Sequence, residues 1–101
     1  MRLTADQHST IRSAVAETFG GAASVWLFGS RVDDNKRGGD IDLLIETSQT
    51  NVSEIVKAEL ALLTKLKMKL GEQQIDVLVD YPTRQHTPAI FTIARQTGTR
   101  L

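Results

Sequence analysis

In Asp40-Ile41-Asp42-Leu43-Leu44-Ile45-Glu46, strict polar and apolar alternation gives way to an unbroken apolar run. Alternation marks a strand with one face in water, and a short continuous apolar run marks a strand covered on both faces. The stretch therefore reads as an inner strand whose first end reaches the surface. Because side chains alternate along a strand, Asp40 and Asp42 share one side while Ile41 and Leu43 point into the core.

The segments on either side give this strand its neighbours. Ala23-Ser24-Val25-Trp26-Leu27-Phe28 is apolar, partly β-branched and aromatic, and reads as another strand buried on both faces, ending at Gly29-Ser30. Arg31 to Gly39 is polar, has two glycines and no helical period, and reads as a loop. Before it, Thr4 with Gln7 forms a capping-box pattern, and Ile11, Val15 and Phe19 recur every four residues, predicting a helix stopped by Gly20-Gly21. After it, Asn51 with Glu54 caps a long helix carrying Val52, Ile55, Val56, Leu60, Leu63, Leu66 and Leu70, which Gly71 ends. Gln74 to Asp80 is a third strand, closed by Tyr81-Pro82, since proline cannot donate to a ladder. A last helix starts at Thr87 with Pro88 in its first position and runs through Ile90, Ile93 and Ala94 to Gly98.

The order α-β-β-α-β-α predicts an α/β (α+β) fold: a small mixed sheet with helices packed on it, the long helix crossing over between the second and third strands. At 101 residues, the expectation is one domain over 1–101, with no room for a separate substrate domain. Zero cysteines exclude disulfide scaffolds, thiol catalysis and thiolate metal sites, so any metal must sit on oxygen or imidazole. Twelve basic against twelve acidic residues give a formal net charge of zero, which disfavours direct nucleic-acid binding. The polar, amphipathic beginning and the absence of any long apolar run give the expectation of a soluble cytoplasmic protein without membrane contact.

Chemistry gathers on the acids. Two carboxylates forced onto one side of a strand repel and raise each other's pKa, a cost that a divalent cation removes. Magnesium takes hard oxygen ligands, commonly one or two carboxylates plus substrate phosphates. Asp76 lies between Ile75 and Val77 in the third strand and reaches the same face if the two strands are neighbours. Three converging acids suit two-metal phosphoryl or nucleotidyl transfer. Gly29-Ser30 at the end of a strand allows close backbone approach and amides that cradle phosphate oxygens, and Arg31 can contact phosphate bidentately.

Leu27-Phe28-Gly29-Ser30, nine residues from Arg31 to Gly39, Asp40-Ile41-Asp42-Leu43, and Asp76 in a later apolar strand together resemble the minimal nucleotidyltransferase (MNT) family of the DNA polymerase beta-like superfamily. The resemblance runs from the first helix to Gly98. It implies that Gly29 and Ser30, with Arg31, bind the triphosphate, that Asp40 and Asp42 ligate two magnesium ions, and that Asp76 completes the metal and catalytic set and helps activate the nucleophile. Relatives place a serine before the first aspartate, where this chain has Gly39; here Asp33 and Asp34 add negative charge to the phosphate side, against Arg31, Lys36 and Arg37.

The resemblance further implies a partner. Such proteins are often encoded beside a HEPN-type helical protein, as the antitoxin of a toxin-antitoxin pair, in some cases transferring AMP from ATP to a tyrosine hydroxyl. The leading expectation is thus magnesium-dependent transfer of a nucleoside monophosphate to a hydroxyl of a HEPN-type partner. The alternative is a catalytically silent antitoxin or assembly subunit that acts by binding, for which the broad apolar surface of the long helix, with Leu62, Leu63, Leu66, Met68 and Leu70, is a candidate. An aminoglycoside-type small-molecule transferase, built across a homodimer, is the third. His8 and His86 lack metal-ligand spacing and stay outside the site, as does Asp80, whose place before Tyr81-Pro82 marks a strand end.

Overall fold

The computed structural model describes residues 3–29, 40–71 and 74–101. Its elements are α1 (Ala5–Phe19), β1 (Ser24–Phe28), β2 (Ile41–Glu46), α2 (Val52–Leu70), β3 (Ile75–Asp80), α3 (Ala89–Thr97) and β4 (Thr99–Arg100). The strands form one mixed sheet in the order β3-β2-β1-β4. β1 runs antiparallel to β2 and to β4, whereas β2 and β3 are parallel, as a crossover through α2 requires.

Local chemistry sets the helix starts. At α1 the Thr4 hydroxyl accepts from the Gln7 amide at 3.0 Å, and the Gln7 side chain accepts from the Thr4 amide at 3.0 Å, closing the capping box. At α2 the Asn51 side chain accepts from the Glu54 amide at 3.1 Å. The expectation for the last helix needs correcting: α3 begins at Ala89, and Pro88 is its N-cap. Pro88 has a helix-compatible φ of −59° but an extended ψ of 148°, so the chain turns into the helix only at the next residue.

The sheet is covered unequally. α1 and α2 bury one face, where Ile11, Ala14 and Val15 of α1 and Ile55, Leu62 and Leu66 of α2 pack on Val25, Leu27, Ile41, Leu43, Ile45, Ile75 and Val79. On the other face α3 places Phe91 and Ala94 over Leu44, with Trp26, Phe28 and Leu78 around them. The inner strand β2 is covered on both faces, and Leu43, Leu44 and Ile45 are fully buried, as their sequence predicts. β1 departs from expectation: Val25 and Leu27 are buried, while Ser24, Trp26 and Phe28 are only half-buried because the single short α3 is their cover.

One strand lay outside the sequence reading, and the apolar surface of the long helix is only partly as expected. β4 follows α3 at the Gly98 stop and pairs Thr99 with Leu27 and Arg100 with Trp26, adding a strand to the β1 edge. On α2, Leu62 and Leu66 are fully buried and Leu63 and Leu70 half-buried, but Met68, Val52, Val56 and Leu60 are exposed. Among the described residues no helix is long and apolar enough to cross a membrane.

Candidate active site

Strand register brings two of the predicted acids side by side. Asp42 and Asp76 are direct partners in the parallel β2–β3 ladder, and Phe28 is the partner of Asp42 across the antiparallel β1–β2 ladder. The alternation that buries Ile41 and Leu43 against α1 and α2 turns Asp42 toward the α3 face, and Ile75 and Val77 do the same for Asp76. Asp40 precedes β2 by one residue, two positions before Asp42, and is exposed.

Asp42 is the electrostatic centre. Burial, foremost, holds its carboxyl above the usual aspartate range; the charges of Asp76 and Asp40 push the same way, and a hydrogen bond with the Asp76 side chain adds to the effect. Asp42 therefore feels both of the other acids. Among the described residues no lysine, arginine or histidine forms an ion pair with any of them.

Another acidic pair on the same face shows what this chain does when such a pair is structural. Four residues along, Glu46 and Asp80 are again direct ladder partners, and Arg95 of α3 bonds both, through Nε to Glu46 and Nη2 to Asp80. Burial alone would lower the Arg95 pKa, but the two carboxylates more than offset it and raise it. The face thus carries two acidic rungs separated by the apolar rung Leu44–Leu78, one neutralised by a guanidinium and one left as carboxylates. Asp80 is the last residue of β3, at the strand end its sequence position marks, and besides Arg95 it has Arg84 Nε at 4.0 Å.

Gly29 closes the site from β1. Its φ is +77°, in the region that favours glycine, and a Cβ at this position would overlap Oδ2 of Asp42 and lie 3.2 Å from its Cγ. The backbone after β1 can approach the Asp42 carboxylate only because residue 29 has no side chain. Ser30 and Arg31, the other expected phosphate-binding residues, lie outside the described residues. His86 offers only its carbonyl, to Arg84 Nη1 at 3.2 Å, and His8 sits on α1; neither joins the acids.

The donor set fits a divalent cation in kind. It is made of carboxylate oxygens, and burial, with the charges of the neighbouring acids, raises the pKa of its central acid. It is not a closed cage: among the described residues no three acidic or imidazole side chains are gathered tightly enough to form a ligand group. Asp42 and Asp76 are in contact, and Asp40 is felt as a charge at the exposed rim. Sequence reasoning missed the Glu46–Asp80–Arg95 cluster, whose members lie far apart in the chain; the even spacing of Asp76 and Asp80 was its one visible signal.

Comparison with known families finds a match. The family model described as "Nucleotidyltransferase domain" matches residues 8–96, which spans every described acid of the site and Gly29. Among curated proteins, none matches the chain.

Proposed function

We propose, from the premise that this chain belongs to the nucleotidyltransferase-domain family, that it transfers a nucleoside monophosphate, AMP from ATP, to a hydroxyl of a partner protein. The observation that carries the reading is the contrast between the two acidic rungs: the fold neutralises Glu46 and Asp80 with Arg95 and leaves Asp42 and Asp76 for a ligand. Two magnesium ions, held by Asp40, Asp42 and Asp76, would supply charge neutralisation at the transferred phosphoryl group and at the leaving oxygen when bound.

The chain's own residues have distinct tasks in this reading. Asp42, fixed between its ladder partners Phe28 and Asp76, sets the position of the site relative to the rigid sheet. The Gly29 turn brings backbone against that carboxylate, where its amide would face a triphosphate. Asp76 accepts the proton of the acceptor hydroxyl as its oxygen bonds to the α-phosphorus. The bond from the α-phosphorus to the bridging oxygen breaks, and pyrophosphate leaves with that electron pair.

Partner identity rests on the resemblance to MNT proteins, and it makes the chain the antitoxin of a HEPN/MNT pair. One observation favours the second reading, an antitoxin that acts by binding alone: Val52, Val56 and Leu60 recur every four residues on α2 and are 53%, 47% and 61% exposed, an apolar stripe that no described residue covers.

Each nucleoside triphosphate, labelled at the α-phosphate and supplied with magnesium, should be tested with the full chain and the co-expressed helical partner. Label on the partner, lost with Asp42→Asn, is the expected result. An unlabelled partner that still co-purifies would replace transfer with binding, and label on a small-molecule acceptor alone would replace the protein acceptor.

A further inference from the structure

Four arginines lie among the described residues, and two are engaged at the β3 end of the sheet. Arg95 bridges Glu46 and Asp80; Arg84 donates to the Val79 and His86 carbonyls at 3.1 and 3.2 Å and lies over the Tyr81 and Phe91 rings. Arg12 of α1 and Arg100 of β4 differ: neither forms an ion pair with a described carboxylate, and both line one cleft of about 210 Å³. That cleft lies between α1, the turn at Gly20-Gly21, the start of β1 and the end of β4 with Leu101 beyond it, and among the described residues no acidic side chain lines it. Glu17, an acid near the end of α1, is instead drawn to Lys65 of α2 at 2.9 Å.

Arg100 is oriented in advance. Its Nη2 donates to the Ser24 hydroxyl at 3.0 Å, and its guanidinium lies over the Trp26 ring, 5.5 Å from the centroid. One of five N–H donors is used, so the fork that matches a phosphate remains available at reduced entropic cost. We propose that this cleft is a second anion site, in which Arg12 and Arg100 take a phosphate group.

This phosphate is not the one transferred. Ser24, at the cleft, pairs with Glu46, whereas Phe28 pairs with Asp42, so the two sites stand four residues apart along β1, about 13 Å. The ligand therefore carries its own phosphate, either free or as a monoester, and the site does not depend on the reaction proposed above.

The test titrates inorganic phosphate into the full chain at constant ionic strength, with EDTA present. Trp26 is the chain's one tryptophan and stacks with Arg100, so its fluorescence reports occupancy. Equilibrium dialysis with radiolabelled phosphate reads the same event where Arg100 is replaced. We expect saturable binding that weakens at least tenfold in Arg12→Gln and in Arg100→Gln, disappears in the double variant and persists in Asp42→Asn. Both arginines are exposed, and unchanged thermal unfolding of the variants would exclude misfolding as the cause. Tighter binding of glycerol phosphate than of inorganic phosphate assigns a phosphomonoester, and the reverse assigns free phosphate. An equal response to chloride, or binding retained in the double variant, overturns the site.

Discussion

Gly29 and Asp42 limit each other at the distance of a single carbon atom, and what gives way on substitution differs from place to place. In Gly29→Ala the methyl group meets the far end of a mobile side chain, so the Asp42 carboxylate rotates and the chief energetic cost is the φ of +77°, about 1–2 kcal/mol. Transfer should nevertheless fall by about a thousandfold, because the displaced group belongs to the proposed site. Gly98→Ala provides the contrast. Its φ of −83° is ordinary, but the new Cβ would overlap the Ala94 carbonyl and lie 2.7 Å from the Leu27 carbonyl, and backbone cannot rotate away. Urea denaturation should show this variant destabilised by about 3 kcal/mol, more than Gly29→Ala. Asp42 itself carries a trade-off. With a folded pKa above its unfolded value, its carboxyl favours the native state while protonated, and that contribution is lost as pH rises through the raised pKa. In EDTA at neutral pH, Asp42→Asn should be the more stable protein by up to about 1 kcal/mol after solvent screening, with a flatter profile from pH 4 to 7, while transferring nothing.

At the scale of elements, the two acidic rungs predict opposite responses to the loss of charge. Arg95→Met removes the cation between Glu46 and Asp80 and recreates there the repulsion present at Asp42 and Asp76, so the variant should lose about 2 kcal/mol in urea at pH 7. The loss should shrink as pH falls and the two carboxylates take up protons. Equal destabilisation at pH 4 and pH 7 would show that α3 depends on Arg95 for packing rather than charge. This cluster also shows where the sequence stops being legible. The capping pairs Thr4–Gln7 and Asn51–Glu54 and the alternation in β2 and β3 are local, and the structure repeats them nearly residue for residue. The side-by-side placement of Asp42 and Asp76 could be anticipated only on the condition that β2 and β3 are neighbours. Arg95 meets Glu46 and Asp80 only through sheet register and the return of α3, neither of which leaves a spacing in the chain. β4 has two residues, too few for alternation to show, and Pro88 has a φ that serves equally for an N-cap and a first helical position.

For the molecule as a whole, the arrangement separates charge that the composition cancels. A chain with a formal net charge of zero places three carboxylates at one end of its sheet and, by the other, two guanidiniums that form no ion pair with a described carboxylate. A folded state that concentrates repulsion in this way gains stability from whatever neutralises it, by mass action and in proportion to occupancy. Magnesium at a hundredfold its dissociation constant should add about 2.7 kcal/mol to unfolding, and for a domain of this size each kcal/mol raises Tm by roughly 4–8 °C. Differential scanning calorimetry across a magnesium titration, reversed with EDTA, would measure it. The response should vanish in Asp42→Asn and Asp76→Asn, because each breaks the pair in contact, and weaken in Asp40→Asn, whose carboxylate stands at the rim. Sodium chloride at matched ionic strength separates site binding from screening, since screening acts on all exposed charges and would stabilise the three variants alike. A Tm that climbs with magnesium in Asp42→Asn as in the parent would place the ion away from these acids, and with it the proposed two-ion transfer.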